Sequence, residues 1–475
     1  MYQTYRKEYL NPSLFKPYLL GITVLLVGLT THVVFQILFY GSSLDYLYLL
    51  MLIQVGPFLI QLGKQRFNFI GFTLFNHFFC YSVPKYNSII HLSYSDQMFP
   101  ETLLAIKELI ICTLIILACY QIFRTFLFYS FVEREKYQLL SLTRIQLIVV
   151  ALYVIGMPVI IDYLPPWTLI LHFAAVAADM VLLMCSTSPQ NERLSFILRF
   201  GVFVSAVLYF IKTGMLTMVG NLAGYLFIAS CLRRQYKILI IPIILTVLGS
   251  ATQVVKASYR NAIYSAPSAS YSERLSVLGG LLYAHYVEGA QSEGDEEEGS
   301  ADSRKDLSDS LLQGFSRLGD DSLERVLAWT PSIVPFWEGS SYESLPYLFI
   351  PRFLWPEKPS RHVWNKFGRT YGILSEDDNQ TSVGVTYLAE GYMNFGFTGM
   401  YIVAVIMAFI IAAVERLSYY FLGGYFYFTF MAFLMPVMAY ASDLGSVIQS
   451  IMIVSVVLFI FRKQFKKMAL KDDYS

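Results

Sequence analysis

Long apolar segments recur along the chain and are separated by polar stretches. An α-helix needs about 17 to 25 mostly apolar residues to cross the hydrocarbon core of a bilayer. Backbone N–H and C=O groups must be paired within that core, so we expect these segments to be helices rather than strands. The pattern predicts twelve membrane spans, at residues 18–40, 44–62, 67–83, 103–123, 145–161, 166–184, 195–211, 213–231, 237–255, 397–414, 419–441 and 444–461.

The spans form two groups on either side of one long polar interval, which predicts an all-α polytopic integral membrane protein. Its expected parts are an N-terminal bundle of about nine transmembrane helices at 1–255, a large loop at 256–396, and C-terminal transmembrane helices with a basic tail at 397–475. Within the loop, residues 288–309 are acidic, rich in Gly and Ser, and free of aromatic residues. Such a tract buries too little apolar surface to order itself, so we expect a disordered insertion. Residues 275–287 and 322–336, on either side, have the apolar spacing of helices.

The distribution of Lys and Arg predicts the orientation in the membrane. If the N-terminus is cytoplasmic, nineteen basic residues fall in the inside segments, and only Lys85 and Lys212 fall in the short outside loops. Cytoplasmic loops of membrane proteins carry such an excess. Both termini are therefore predicted to be cytoplasmic, and the large loop to lie on the outer side of the membrane. Long loops translocate largely regardless of charge, so the basic residues of this loop do not conflict with the assignment.

The composition also indicates a membrane solvent. Only 15% of the residues are charged and the mean hydropathy is +0.51, whereas soluble domains average roughly 25% charged residues. The five cysteines lie inside or at the ends of apolar runs, which argues against a disulfide framework or a Cys-based metal site. The first apolar run is too long for a signal-peptide core, so we expect an uncleaved span. The net charge of +1 gives no reason to expect a nucleic-acid partner.

A first cluster of candidate residues, Lys256 and Arg260, lies at the outer end of the ninth predicted span. Residues four apart on a continuing helix share a face, where two cations repel each other unless an anion lies between them. The competing interpretation is that both side chains snorkel to the membrane surface. Because basic residues are otherwise nearly absent from the short outer segments, we interpret the pair as an anion-binding site.

A second cluster lies in the segment 350-IPRFLWPEKPSRHVWNKFG-368. Its prolines restrict the backbone and so hold the cations Arg352 and Lys358 in place. The guanidinium group of arginine is suited to bidentate recognition of phosphate. These two residues are therefore further candidates for anion binding.

Three other side chains of this segment have more than one interpretation. Trp355 and Trp364 are typical of the aromatic belt at a membrane interface, but they also suit stacking on a sugar ring. The titration range of His362 suits a general base, although a surface imidazole is equally consistent with its position.

A third cluster precedes the tenth predicted span, where Glu390 and Asn394 are four residues apart. A carboxylate at the membrane edge is costly and is a functional hypothesis by default. Glu390 either forms a structural ion pair with Arg352 or Arg260, or acts as a base. The glycines that follow permit close helix packing. No nucleotide-binding, metalloprotease or serine-hydrolase motif is present, and we predict neither a metal nor a cofactor.

These clusters resemble local patterns of the bacterial O-antigen polymerase family, the Wzy-type oligosaccharide repeat-unit polymerases. The resemblance rests on 253-QVVKASYR-260, 350-IPRFLWPEKP-359 and 382-SVGVTYLAEGYMNFGFTG-399, together with the twelve-span layout and the late large loop. The second pattern is the most specific of the three. The N-terminal half is similar to the family only in hydropathy, and the acidic tract looks like a lineage-specific insertion.

The resemblance implies a glycosyltransferase with a GT-C-like fold at the outer face of the bacterial inner membrane. Such an enzyme moves a growing glycan from one undecaprenyl diphosphate carrier to the non-reducing end of another lipid-linked repeat unit. It uses no nucleotide sugar, and a chain-length regulator is a further expected partner. Lys256, Arg260, Arg352 and Lys358 would stabilise the diphosphate leaving group. Glu390 and His362 are the candidate bases, and the glycan path is expected to include the side chains of Trp355 and Asn394.

Two other functions have similar chemical requirements. An O-antigen ligase uses the same donor with a lipid A-core acceptor, so its active site would need nearly the same residues. A transporter or flippase for lipid-linked glycans would be expected to spread ionisable residues through many spans. Here the charges concentrate in one outer loop, which favours a transferase.

Overall fold

The computed structural model is helical in the parts of the chain that it describes. These are residues 12–39, 41–64, 68–91, 101–128, 200, 203–204, 207–214, 216–232, 239–266, 268–288, 321–350, 355, 357–358, 363–379, 381–422, 434 and 442–469. No strand occurs among them, so the prediction of an all-α protein is confirmed there.

Thirteen α-helices have bounds within these residues. They are α1 (Pro12–Phe39), α2 (Ser43–Lys64), α3 (Phe69–His77), α4 (Val83–His91), α5 (Thr102–Phe128), α6 (Thr217–Leu232), α7 (Ile240–Gln253), α8 (Lys256–Ser265), α9 (Tyr271–Tyr283), α10 (Ser322–Trp329), α11 (Val363–Thr370), α12 (Tyr387–Leu422) and α13 (Leu444–Ala469). Single π-helical turns follow α3 at Phe78–Ser82 and α9 at Ala284–Glu288, and a 3-10 helix lies at Leu345–Phe349.

Three of the described helices are long and apolar enough to cross a membrane, at Ser43–Leu62, Thr102–Leu127 and Tyr387–Ser418. A fourth crossing is possible if α7 and the part of α8 from Ser258 to Ser265 form one bent span. The chain thus has the character of a membrane protein. The predicted spans 145–161 and 166–184 lie outside the described residues. The number of twelve spans, the GT-C-like architecture and the orientation stay predictions.

The chain divides into two compact units. The first unit comprises Met1–Arg134, Gly319–Tyr420 and Phe433–Val456, and the second comprises Glu135–Leu318, Phe421–Ala432 and Val457–Ser475. The division of the chain at 1–255, 256–396 and 397–475 follows predicted topology rather than contacts, and it stays a prediction. Almost all of the acidic tract at 288–309 lies outside the described residues.

Helix α12 in the first unit is broken near its start. Phe395 and Gly396 have non-helical backbone angles, with φ at +66° for Gly396, a conformation that glycine adopts without strain. In a straight helix, residues eight apart are separated by about 12 Å along the axis. Here a Cβ atom on Gly391 would lie 2.9 Å from the carbonyl oxygen of Gly399, so the two parts of α12 pack against each other. The predicted span at 397–414 begins where the second part begins.

The two loop segments predicted to be helical, 275–287 and 322–336, are helical in part of their length. Residues 275–287 fall within α9 and the π-helical turn that follows it. The other segment, 322–336, is helical only as far as Trp329. Pro331 lacks a backbone N–H and disfavours helical angles in the residue before it, which explains why α10 ends early.

Candidate functional site

Lys256 and Arg260 both lie on α8, but α8 does not continue the preceding helix. The part of α8 from Ser258 to Ser265 lies at an angle of 73° to α7, after a break that follows Gln253. The hydroxyl of Thr252 donates to the carbonyl oxygens of Leu248 and Gly249, each at 3.0 Å. Such bonds from a threonine to the preceding turn tend to bend helices. The expected shared face is therefore provided by a separate short helix that begins at Lys256.

Arg260 lies against the end of the helical residues 207–213. Gly214 closes that segment with φ at +64°, and a Cβ atom there would lie 2.5 Å from Cγ of Arg260. The aliphatic part of Arg260 thus occupies the space that any other residue at 214 would fill. Its guanidinium donates to the hydroxyl of Tyr264 at 3.3 Å and lies 5.4 Å from the centre of that ring, while Nε is buried without a hydrogen-bond partner among the described residues.

One side chain of α8 and one of α9 donate hydrogen bonds to the same helix end. The hydroxyl of Tyr259 donates to the carbonyl of Ile211 at 2.5 Å, and the guanidinium of Arg274 donates to the carbonyl of Lys212. The last carbonyl groups of a helix have no partner within the helix, so these side chains satisfy them. Arg274 thereby bonds backbone carbonyls, whereas the hydrogen bond of Arg260 is to Tyr264 on its own helix.

Excess positive charge remains at Lys256 and Arg260. The ion pairs found among the described residues are Lys85–Asp321, Lys85–Glu324 and Arg124–Glu415, so neither cation has a carboxylate partner there. Burial, and then the charge of Arg260, lower the pKa of Lys256. Lys256 is also the first residue of α8, where the partial positive charge of the helix N-terminus disfavours a cation. A bound anion would offset the cost of burying Lys256, its repulsion by Arg260 and its repulsion by the helix N-terminus.

The second basic cluster is described only in part, because Arg352 and His362 lie outside the described residues. Lys358 donates from Nζ to the carbonyl oxygen of Ile350 at 3.0 Å. The ring of Trp355 packs edge-on against Tyr347, with 5.5 Å between the ring centres. Lys358 and Trp355 thus each contact a residue at 347–350. The effect expected of the prolines stays a prediction, because Pro351, Pro356 and Pro359 lie outside the described residues.

Glu390 is completely buried, in the short first part of α12. Its Oε2 atom accepts a hydrogen bond from the backbone N–H of Leu444 at 2.8 Å. Leu444 is the first residue of α13, so the carboxylate lies at the N-terminus of a helix, where negative charge is favourable. Arg260 belongs to the other unit and Arg352 is not described, so the ion pairs expected for Glu390 stay predictions.

Asn394 joins the first part of α12 to the loop that precedes it. Its side-chain oxygen accepts from the backbone N–H of Gly339 at 2.9 Å, and its side-chain nitrogen donates to Ser341 at 2.9 Å and to the carbonyl of Glu390 at 2.8 Å. Asn394 is buried, with three hydrogen bonds to protein groups. Through these hydrogen bonds, Asn394 holds the segment at 337–341 against α12.

Trp364 has a partner at the same end of α13. Its indole N–H donates to Oδ1 of Asp443 at 2.6 Å, and Asp443 caps the helix through Ser446. This hydrogen bond favours packing over sugar stacking for Trp364. Two buried carboxylates, those of Glu390 and Asp443, therefore bind the first turn of α13.

The sequence interpretation missed a buried ionic cluster in the first unit. Lys85, treated only as one of two basic residues in short outer loops, lies 2.6 Å from Asp321 and 2.9 Å from Glu324. Glu324 is fully buried and also accepts from the hydroxyl of Tyr81 at 2.8 Å. The one signal in the sequence was the charge of Glu324 within the apolar pattern of α10. Only the fold shows which cation pairs with Glu324.

The candidate residues fall into both units. Lys256 and Arg260 belong to the second unit, whereas Lys358, Glu390 and Asn394 belong to the first. Each group is therefore described by itself. Comparison of the chain with protein-family models, with curated proteins and with solved structures found no match.

Proposed function

We propose that this chain polymerises undecaprenyl-diphosphate-linked oligosaccharide repeat units into O-antigen or a related surface polysaccharide. The proposed place of reaction is the outer face of the bacterial inner membrane, with the large loop periplasmic and both termini cytoplasmic. The observation that carries the proposal is the pair Lys256 and Arg260 on α8, two cations without a carboxylate partner among the described residues. A lipid diphosphate is an anion of matching charge that lies at the membrane surface.

In the proposed reaction, a hydroxyl oxygen of the acceptor glycan bonds to the anomeric carbon of the donor glycan. The bond from that carbon to the diphosphate oxygen breaks, and undecaprenyl diphosphate leaves with the electron pair. Fixed cations favour this step because they stabilise the charge that develops on the leaving oxygen. We assign this role to Lys256 and Arg260, with Arg352 and Lys358 as further candidates.

The acceptor hydroxyl loses its proton to a base, for which Glu390 and His362 are the candidates. Glu390 is completely buried and already accepts the N–H of Leu444. A base must come within hydrogen-bond reach of its substrate proton. We therefore place His362 first as the proton acceptor, and assign to Glu390 the positioning of α13.

Substitution of the cation pair tests the diphosphate role. Arg260→Ala and Lys256→Met should each remove long glycan chains from the surface polysaccharide, with the amount of protein in the membrane unchanged. Lys107→Ala is a matched control, because Lys107 is also a cation on an apolar helix but lies 4.6 Å over the ring of Tyr46. The readout is the ladder of chain lengths on a gel. A normal ladder in both Arg260→Ala and Lys256→Met would contradict the role.

A deletion strain separates the proposed polymerase from its alternatives. Loss of a polymerase leaves surface glycan of a single repeat unit. Loss of a ligase leaves polymerised glycan that is not attached to lipid A-core, and loss of a flippase leaves no exported glycan. Complementation with the wild-type gene and with Arg260→Ala then relates the phenotype to the cation pair.

A further inference from the structure

An uncharged segment with exposed apolar side chains precedes the break in α12. Between Arg325 and Glu338 the chain carries no charged residue. Within this segment the side chain of Ile333 is 66% exposed and that of Phe336 is 37% exposed. α10 has ended before Pro331, so these side chains lie on a turn-rich stretch rather than on a helix face.

Aromatic contacts connect this segment to α12. The ring of Phe336 lies 6.2 Å from that of Tyr392, which makes an edge-on contact with Phe397 at 5.0 Å. Phe395, at the break, is 53% exposed and stacks against Tyr342 at 6.4 Å. The exposed rings of Phe336, Phe395 and Phe397 therefore surround the point at which the second part of α12 begins.

The same apolar surface continues along α12. Ile402, Val405 and Phe409 are exposed and recur at the spacing of one helix face. They lie within a helix that is long and apolar enough to span a membrane, so the exposed face of this helix is the face suited to lipid. The segment at 331–337 lies at the beginning of that exposed face of α12. No charged residue of α12 lies between the segment and the face.

A cation lies at the polar edge of this surface. Nζ of Lys366 is 4.3 Å from the centre of the ring of Trp337 and 3.4 Å from the hydroxyl of Ser340. Lys366 is exposed, so its ammonium group is available to solvent. Tryptophan with an adjacent lysine is typical of the level of the lipid headgroups, where the ring is half in hydrocarbon and the cation meets phosphate.

We propose that residues 331–337, together with Phe395 and Phe397, insert into the lipid interface of the leaflet that α12 enters. The segment anchors this part of the loop to the membrane without crossing it, and Lys366 contacts the headgroup phosphates. Exposed apolar patches of this kind mark contact surfaces rather than solvated ones. The proposal does not depend on the glycan chemistry.

Labels of fluorine at single positions test the insertion in the full chain reconstituted in lipid nanodiscs. 4-Trifluoromethylphenylalanine at position 336 is nearly isosteric with the native phenylalanine. The same label at position 409 is the reference for hydrocarbon, and at the exposed position 375 it is the reference for water. Relaxation of the fluorine signal by dissolved oxygen, which concentrates in the membrane, is compared with relaxation by a gadolinium chelate, which stays in water.

We expect the ratio of oxygen to gadolinium relaxation at position 336 to shift toward the value at position 409. A ratio like that at position 375 would overturn the proposal, because the ring would then face water. Weak relaxation by both agents would also overturn it, because another part of this chain or a second copy would then cover the surface. A Lys366→Glu variant should shift the ratio at position 336 toward the aqueous value in nanodiscs of anionic lipid, and its failure to do so would overturn the headgroup contact.

Discussion

The basic residues near two predicted outer helix ends, Lys85 at one and Lys256 with Arg260 at the other, have opposite surroundings. Lys85, in the first unit, is buried and lies within 3 Å of two carboxylates. Lys256 and Arg260, in the second unit, lie beside each other and have no carboxylate partner among the described residues. The charge of Lys85 is therefore paired within the protein, and we propose that an anionic ligand pairs the charges of Lys256 and Arg260.

The difference indicates how a structural cation differs from a candidate binding cation in an apolar chain. Burying a charge is costly unless it is paired, so a lysine kept inside a fold requires a carboxylate from elsewhere in the chain. Glu324 provides it for Lys85 from α10, more than 200 positions further along the sequence. Like charges four apart on a helix are destabilising, so we propose that a ligand, rather than the fold, accounts for the pairing of Lys256 with Arg260.

The largest expected effect comes from the structural cluster. Glu324→Gln leaves Lys85 buried without its fully buried partner, and breaking a buried ion pair costs about 3–5 kcal/mol of stability. Thermal unfolding of the purified protein in detergent should show the loss as a lower transition temperature. Asp321→Asn is the matched control, because Asp321 is an exposed partner of the same lysine, and exposed pairs contribute only about 0–1 kcal/mol.

Equal losses in the two variants would show that burial does not distinguish the two carboxylates. A Lys85→Met, Glu324→Leu double variant sharpens the result, because removing both charges avoids an unpaired buried ion. We expect it to be more stable than Glu324→Gln alone.

The second effect concerns the cation pair and a ligand. Inorganic pyrophosphate carries the chemistry of the proposed leaving group, and a ligand at ten times its Kd stabilises the folded state by about 1.4 kcal/mol. We expect pyrophosphate to raise the transition temperature of the wild-type protein, and Arg260→Ala to abolish the increase. Arg260→Lys should retain only part of it, because an ammonium group lacks the bidentate geometry of guanidinium. The same increase in Arg260→Ala would mean that pyrophosphate binds elsewhere.

The sequence predicted helices better than it predicted the contacts between them. Periodicity and hydropathy indicated helices at α2, α5, α7 and the second part of α12, because those signals depend on the local sequence alone. The break at Gly396 was visible only as a group of glycines, since its geometry depends on how Gly391 and Gly399 pack. Likewise, residue spacing placed Lys256 and Arg260 together, although the helix that carries them is not the one expected.

Contacts between distant parts of the chain were beyond the reach of sequence patterns. Nothing near Glu390 indicates that its partner is the backbone N–H of Leu444, 54 positions away. The ion pair between Lys85 and Glu324 is equally non-local. Each of these residues was noticeable as a charge in an apolar context, but the identity of the partner decides between a structural and a chemical role.

The two lysines should also respond to pH in opposite directions. Burial alone would lower the pKa of Lys85, but the carboxylates of Glu324 and Asp321 outweigh it, so the pKa lies above its usual 10.5. Its contribution to stability is complete below 10.5 and is lost as the pH rises through the folded-state pKa. The pKa of Lys256 lies below 10.5, so the unfolded chain binds that proton more tightly. Stability therefore increases as the pH rises through the interval between the lowered pKa and 10.5.

Transition temperatures between about pH 8 and pH 11 measure both slopes, since lysine titrates in this range. The difference in transition temperature between the wild type and Lys85→Met should decrease toward about pH 11. The transition temperature of the wild type relative to that of Lys256→Met should increase over the same range. Slopes of the same sign would show that the two lysines have similar surroundings after all.

The smallest expected effect is a gain in stability. Lys256→Met removes one of two like charges four apart on α8 and retains a side chain of similar length, so without any anion present the variant should be more stable by about 0.2–0.5 kcal/mol. Lys256→Arg keeps the charge and should show no gain. Unfolding in buffer free of phosphate and pyrophosphate measures the difference at neutral pH. A clear loss of stability in Lys256→Met would mean that Lys256, like Lys85, supports the fold, and the contrast between the two clusters would disappear.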